Sequence, residues 1–249
     1  MTHGDGLTLL IEQYLDAAPR IGADVEQVGP FSLFVGRGPW DYYARPRLGL
    51  ATAVDADDVR RLIARQHEID VPTEIEWQPA LTPSLAGACE AAGMIVHRFT
   101  LMVHGGPVSP WPSEVTMTAP GEDVGPALSA QQRGFGAAST LDPATVENLR
   151  DRIEAGTTRV AVARRDGRVV SVGMHQPVAA VSEVVGVATV AEHRRTGWGT
   201  RVTQALVRDA HDRGASTVFL SAAGDAEVRV YEGAGFRRVG DVAAAEAGR

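Results

Sequence analysis

The chain has 249 residues, 44% of them hydrophobic, which is enough to bury one large core or two cores of about 125 residues each. All 24 basic residues are arginine, so chemistry that requires lysine is excluded: a Walker A loop, a pyridoxal phosphate Schiff base, a kinase ATP-binding lysine. The formal net charge of −7 argues against nucleic acid as a partner and suits a cationic amine, while a single cysteine, Cys89, excludes an intrachain disulfide and a zinc site with two thiolates.

In chain order, periodicity predicts a helix over Ala56 to His67, a strand over Thr73 to Trp77, a helix over Pro83 to Ala92 and a strand over Met94 to Val103. The Gly- and Pro-rich run His104 to Trp111 reads as a linker and divides the chain into domains 1–107 and 108–249. Beyond it come a strand at Glu114 to Thr118, a helix near Val124 to Arg133, and a second helix opened by Asp142-Pro143 and ended by Gly156. Strands at Thr158 to Arg164 and Arg168 to His175 are joined by Asp166-Gly167, a dipeptide favoured in two-residue hairpin turns. A strand from Glu183 to Val190, a helix from about Gly199 to Arg213, a strand at Thr217 to Ser221, a helix at Ala226 to Ala234 and a last strand from Phe236 complete the order. No run of about 18 apolar residues is present, and Met1 to Gly6 lack the character of a signal peptide, so the expectation is a cytoplasmic protein without a membrane partner.

The two halves end alike. Cys89-Glu90-Ala91-Ala92-Gly93-Met94 aligns without a gap on Tyr231-Glu232-Gly233-Ala234-Gly235-Phe236, each at a helix-to-strand junction. A helix-ending glycine is common, but the shared element order makes a duplicated fold the better reading.

The sharpest signal is Arg194-Arg195-Thr196-Gly197-Trp198-Gly199, between a valine-rich strand and an amphipathic helix. Glycines let backbone approach a phosphate closely, and unpaired N–H groups at a helix start face it with the positive end of the dipole; Arg194, Arg195 and Arg201 add charge. An ordinary strand-to-helix turn has the same composition. A dinucleotide fingerprint fails because Val202 stands where its third glycine belongs. The spacing of Arg194, Gly197 and Gly199 resembles the CoA-binding signature of the GNAT superfamily of N-acetyltransferases, and Tyr231-Glu232-Gly233-Ala234-Gly235-Phe236 resembles that family's Tyr-Glu-x-x-Gly-Phe segment.

The resemblance implies a mixed α/β fold of two GNAT-like domains, each a twisted mixed sheet flanked by helices, and an acyltransferase that uses acetyl-CoA as co-substrate, without metal, on an amine acceptor. It places CoA against Arg194, Arg195, Thr196, Gly197, Trp198, Gly199 and Thr200, with the pantetheine arm along Val187, Ala188 and Thr189. It makes Tyr231 the general acid for the departing thiolate, a role suited to a phenol that stays protonated at neutral pH. Glu183, at the spacing of a catalytic glutamate in some members, is the leading base; an ordered water chain is the alternative, with His175, Glu192 and His193 behind it. The chain departs from many members in having Gly224 where they carry asparagine.

The first half has neither the loop nor the tyrosine. Ala51-Thr52-Ala53-Val54-Asp55 precedes its first helix and Cys89 takes the place of Tyr231, so it reads as a degenerate copy that shapes the acceptor pocket. His67-Glu68 starts a metalloprotease-like pattern that Val71 breaks. The expected reaction is transfer of acetyl to a primary amine of a small molecule or peptide, with a homodimer allowed. The alternatives are a GNAT-fold enzyme acting on another acyl-CoA, thioester decarboxylation included, and a non-catalytic CoA-binding module.

Overall fold

The computed structural model describes residues 3–137 and 140–248. The chain divides into two compact units, residues 1–101 with 239–249 and residues 102–238.

The first unit opens with α1 (His3–Arg20), β1 (Ala23–Val28), β2 (Phe31–Gly36) and β3 (Arg45–Pro46), the strands forming an antiparallel sheet in that order. Then follow α2 (Ala56–Glu68), β4 (Glu74–Trp77), α3 (Leu85–Ala91) and β5 (Met94–His104), close to the elements expected from the sequence. The core gathers Phe31, Leu33, Leu62, Ile75, Trp77 and Leu85 around the fully buried Cys89. Burial pushes that thiol up to about 12, with Glu90 adding to the shift, so it is a packing group and not a nucleophile. Asp55 closes the start of α2: its carboxylate accepts from the N–H groups of Asp57 and Asp58, both at 2.9 Å.

The second unit contains β6 (Val115–Met117), α4 (Gly125–Gly134), α5 (Pro143–Glu154), β7 (Arg159–Arg165), β8 (Arg168–Val178) and β9 (Val181–Thr189). A 3-10 turn (Ala191–His193), α6 (Trp198–Asp212), β10 (Thr217–Ala222) and α7 (Asp225–Glu232) follow, and β11 (Phe236–Ala247) starts in this unit and continues in the first. Local chemistry sets several of these limits. Asp142 accepts from the N–H groups of Ala144 and Thr145 with Pro143 at the first helical position, and Asp166-Gly167 turns the β7–β8 hairpin with both φ angles positive, 51° and 75°. The sheet order is β10-β9-β8-β7-β6, antiparallel except for the parallel pair β9–β10. Helix α6 lays Val202, Leu206, Val207 and Ala210 on β7, β8 and β9, with α4 against β8 and β9.

The division differs from the expected boundary at 107/108. It falls inside β5, between Leu101 and Met102, and inside β11, between Arg238 and Val239. The last residues join the first unit because β11 pairs antiparallel with β4, Ala243 opposite Trp77 and Ala245 opposite Ile75, and seals the core around them. Among the described residues, no helix is long and apolar enough to cross a membrane.

Candidate active site

The second unit holds a groove of about 500 Å³ between the C-terminal half of β9, the loop that follows it, and α7. Strand β9 makes the groove by failing to stay paired. Its parallel register with β10 covers Val181, Ser182 and Glu183 only, opposite Thr217, Val218 and Phe219, and from Val184 onward the two strands part. On its other side the register with β8 jumps, Val185 facing Met174 and Ala188 facing Val172, so Gly186 and Val187 stand against the single residue Gly173. Gly186 sits at φ +62°, and a Cβ there would lie 2.3 Å from Nε2 of Gln131, which donates to the Gly186 carbonyl at 2.8 Å. The bulge is therefore a glycine in left-handed conformation, held by a glutamine of α4.

The loop after β9 carries two left-handed residues, Arg195 at φ 59° and Gly197 at φ 85°, the second being the N-cap of α6. A non-glycine residue held at positive φ is strained, and alternation of this kind turns successive N–H groups toward one side. Among the described residues no side chain caps α6, so the N–H groups of its first turn, at Trp198, Gly199 and Thr200, are left to the groove. This is the reverse of α2, whose first N–H groups the Asp55 carboxylate already occupies. The loop is braced from within: the Thr196 hydroxyl donates to the His193 carbonyl at 2.6 Å, and Arg201 stacks over the Trp198 ring at 5.0 Å while donating to the Thr196 carbonyl. Arg194 is spent on backbone, its Nη2 donating to the Gly134 carbonyl at 2.6 Å and its Nε to that of Thr189 at 3.3 Å.

Tyr231 closes the groove at the end of α7. Its ring meets Phe236 at 6.2 Å between centroids, and burial, reinforced by the charge of Glu227, pushes its phenol up to about 12. Thr200 ties α6 to α7 by donating to the Val230 carbonyl at 3.4 Å.

Of the residues expected from the sequence, Val187, Ala188, Thr189 and Tyr231 line this one groove together with Arg194, Arg195 and Gly197 to Thr200. Thr196 is not on its wall. Neither is Glu183, which stands where β9 and β10 part, with Gln176 opposite on β8. His193 is on the wall. His175 is wholly buried, with Ser182 at 2.8 Å from Nδ1 and Asp209 at 2.9 Å from Nε2, and it locks α6 to the sheet. Burial alone would raise the Asp209 carboxyl, but the His175 hydrogen bond and the guanidiniums of Arg159 and Arg213 outweigh it and hold the group at about 2. Sequence reasoning missed Glu227, four residues before Tyr231 on the same helix face, and the exposed Phe135 at the groove.

Residues 126–248 match the family model of the acetyltransferase (GNAT) domain. No curated protein matches the chain. Among solved structures, a GCN5-related N-acetyltransferase from Kribbella flavida superposes with a TM-score of 0.74 at 19% identity, covering 97% of this chain and 96% of that one. A putative GNAT-family acetyltransferase from Novosphingobium aromaticivorans gives 0.62 at 19% identity over 98% and 97% of the two chains. A tandem GNAT protein from the clavulanic acid biosynthesis pathway gives 0.53 at 16% identity over 88% and 79%. At these identities the likeness is one of fold, and with the family match it means that the chain carries a GNAT acetyltransferase domain over residues 126–248.

Proposed function

We propose that the protein is an acyl-CoA-dependent N-acyltransferase that moves acetyl from acetyl-CoA to a primary amine of a small molecule or peptide. The observation that carries this reading is the joining, in one groove, of an uncapped helix start behind a left-handed loop, a strand parted from its neighbour, and a half-buried tyrosine. The diphosphate of CoA lies on the N–H groups at the start of α6, and the pantetheine arm runs along Val187, Ala188 and Thr189 as an added strand. An N–H near Ala188 polarises the thioester carbonyl. The amine nitrogen bonds to that carbon and the resulting tetrahedral intermediate collapses with loss of the C–S bond. Tyr231 donates a hydrogen bond from its O–H to the sulfur, which leaves as a thiolate. The proton lost by the amine passes to Glu183; because Glu183 is off the groove wall, water carries it there.

The reading extends to the two units, the first (residues 1–101 with 239–249) as a degenerate GNAT-like copy and the second (residues 102–238) as the catalytic one. The first copy is silent because Asp55 fills its helix start and a buried thiol of raised pKa stands in for the acid. The test is purified protein with acetyl-CoA and a broad amine panel, following free CoA thiol and the mass of the acylated product. CoA release matched by acetylated amine is expected. Absence of both CoA binding and CoA release across the panel sinks the proposal.

A further inference from the structure

A second and larger cleft in the same unit, about 980 Å³, shares His193 with the groove. Its floor is apolar and firm: Val169, Val170 and Val190 are 7%, 2% and 6% exposed, and the N–H of Val190 donates to the Val170 carbonyl at 3.0 Å. Its rim is cationic. Arg133 comes from the last turn of α4, Arg164 from the end of β7 and Arg168 from the start of β8. In an acid-rich chain whose other arginines in this unit include several paired with Asp209, Asp212 or Asp225, none of these three is in an ion pair among the described residues. Arg164 rests on the Thr116 hydroxyl at 3.2 Å, and the hairpin aspartate, Asp166, turns toward Arg165. Among the described residues Glu192 is the one carboxylate on the cleft wall, so three guanidiniums against it leave a surplus of two positive charges.

We propose that this cleft is a binding site for a phosphate monoester carried on an apolar or aromatic body. A monoester brings a charge of about −1.5 to −2 at neutral pH, which matches the surplus, and guanidinium forks bind its oxygens in pairs. The valine floor takes the body. The junction at His193 lies just before the loop that receives the donor's diphosphate in the function proposed above, on which this inference rests for one of its two sources. The ester is either the 3′-phosphate of CoA itself or a separate phosphorylated metabolite seated beside the donor.

The test is calorimetric titration of the full chain with CoA, 3′-dephospho-CoA and 3′,5′-ADP, on wild type and on a variant combining Arg133→Gln, Arg164→Gln and Arg168→Gln. All three side chains are exposed, so the variant should keep the wild-type melting temperature. If the donor supplies the ester, wild type binds CoA at least about 10-fold tighter than dephospho-CoA and the variant binds the two alike. If a separate metabolite does, wild type treats the two alike but binds 3′,5′-ADP in the presence of saturating dephospho-CoA, and the variant loses that binding at least about 10-fold. Glu192→Gln should tighten whichever interaction is present. Equal affinity of wild type and variant for all three probes overturns the cleft assignment while leaving the donor groove intact. Wild type that binds neither CoA nor dephospho-CoA overturns the donor reading instead, and the cleft is then judged on 3′,5′-ADP alone.

Discussion

Replacing Tyr231 by Phe removes one oxygen and leaves the ring on Phe236, so the change isolates what the hydroxyl does. Burial and Glu227 set its phenol at about 12, whereas an ordinary thiol ionises near about 8.5. Complete proton transfer from Tyr231 to a free thiolate is therefore uphill by about 5 kcal/mol, too much for the phenol to act as a freely donating acid. What the site offers at neutral pH is a hydrogen bond to sulfur as negative charge develops on it, and a hydrogen bond to a charged group contributes about 1.5–3 kcal/mol. Tyr231→Phe should then lower kcat by roughly 10- to 150-fold, at the weak end of general acid catalysis, while the CoA dissociation constant stays within about 3-fold of wild type. The assay is steady-state CoA release beside calorimetric CoA binding, between pH 6 and pH 10. Because the raised phenol stays protonated through that range, any alkaline fall in rate should persist unchanged in the Phe variant. Unchanged kcat in Tyr231→Phe refutes the assignment, and an alkaline limb near pH 8 to 9 that vanishes with the hydroxyl refutes the argument from burial.

Gly197→Ala forces a Cβ onto a left-handed residue at a cost of about 1–2 kcal/mol, and CoA affinity measured by calorimetry should fall about 10-fold; unchanged affinity would remove the loop from the donor site. Calorimetry should also give one CoA per chain, since the start of α2 is already occupied by Asp55, and a stoichiometry of two would show the first unit to be a live site. Asp209→Asn strands His175, Arg159 and Arg213 around a neutral amide and should cost about 3 kcal/mol at pH 7 by urea unfolding. The folded carboxyl at about 2 lies below the ordinary unfolded value near about 3.9, so its contribution is full above about pH 4 and drains away toward pH 2. The gap between wild type and variant should accordingly narrow at pH 3, and a constant gap would contradict the charge network.

Much of the second unit was legible because its punctuation is local. Asp142 with Pro143, Asp166 with Gly167, and Gly156 at φ +72° each fix an element boundary by a bond or a dihedral that neighbouring residues alone determine. Helix α1 carries a local signal too, since Ile11, Tyr14 and Leu15 follow helical spacing and all three are buried. The return of the C-terminus to the first unit is different in kind. It depends on the register of Ala243 and Ala245 against Trp77 and Ile75, and a run of alanines specifies no register that sequence could reveal. The groove shows the same split: Glu227 could have been found from its four-residue spacing to Tyr231, whereas Gln131 is 55 residues from the glycine it holds. A glycine inside a strand announces a bulge, but not its partner.

Arg194 shows how a motif residue and its chemistry separate. By composition it is a phosphate ligand, since a cation in a glycine-rich loop invites that reading. In the fold its guanidinium donates to the carbonyls of Gly134 and Thr189, closing the C-terminal end of α4 onto the end of β9. Those are carbonyls at a helix terminus and a parted strand, the places where backbone acceptors lack partners from regular structure. Arg194 thus fixes one bank of the groove, Gln131 fixes the bulge within the same strand, and the left-handed residues Arg195 and Gly197 aim the helix start. In the proposed donor site the diphosphate is then left to the uncapped N–H groups of α6, with Arg195 and Arg201 as nearby charge. The arginine of the motif holds in place the backbone to which the proposed function assigns the binding.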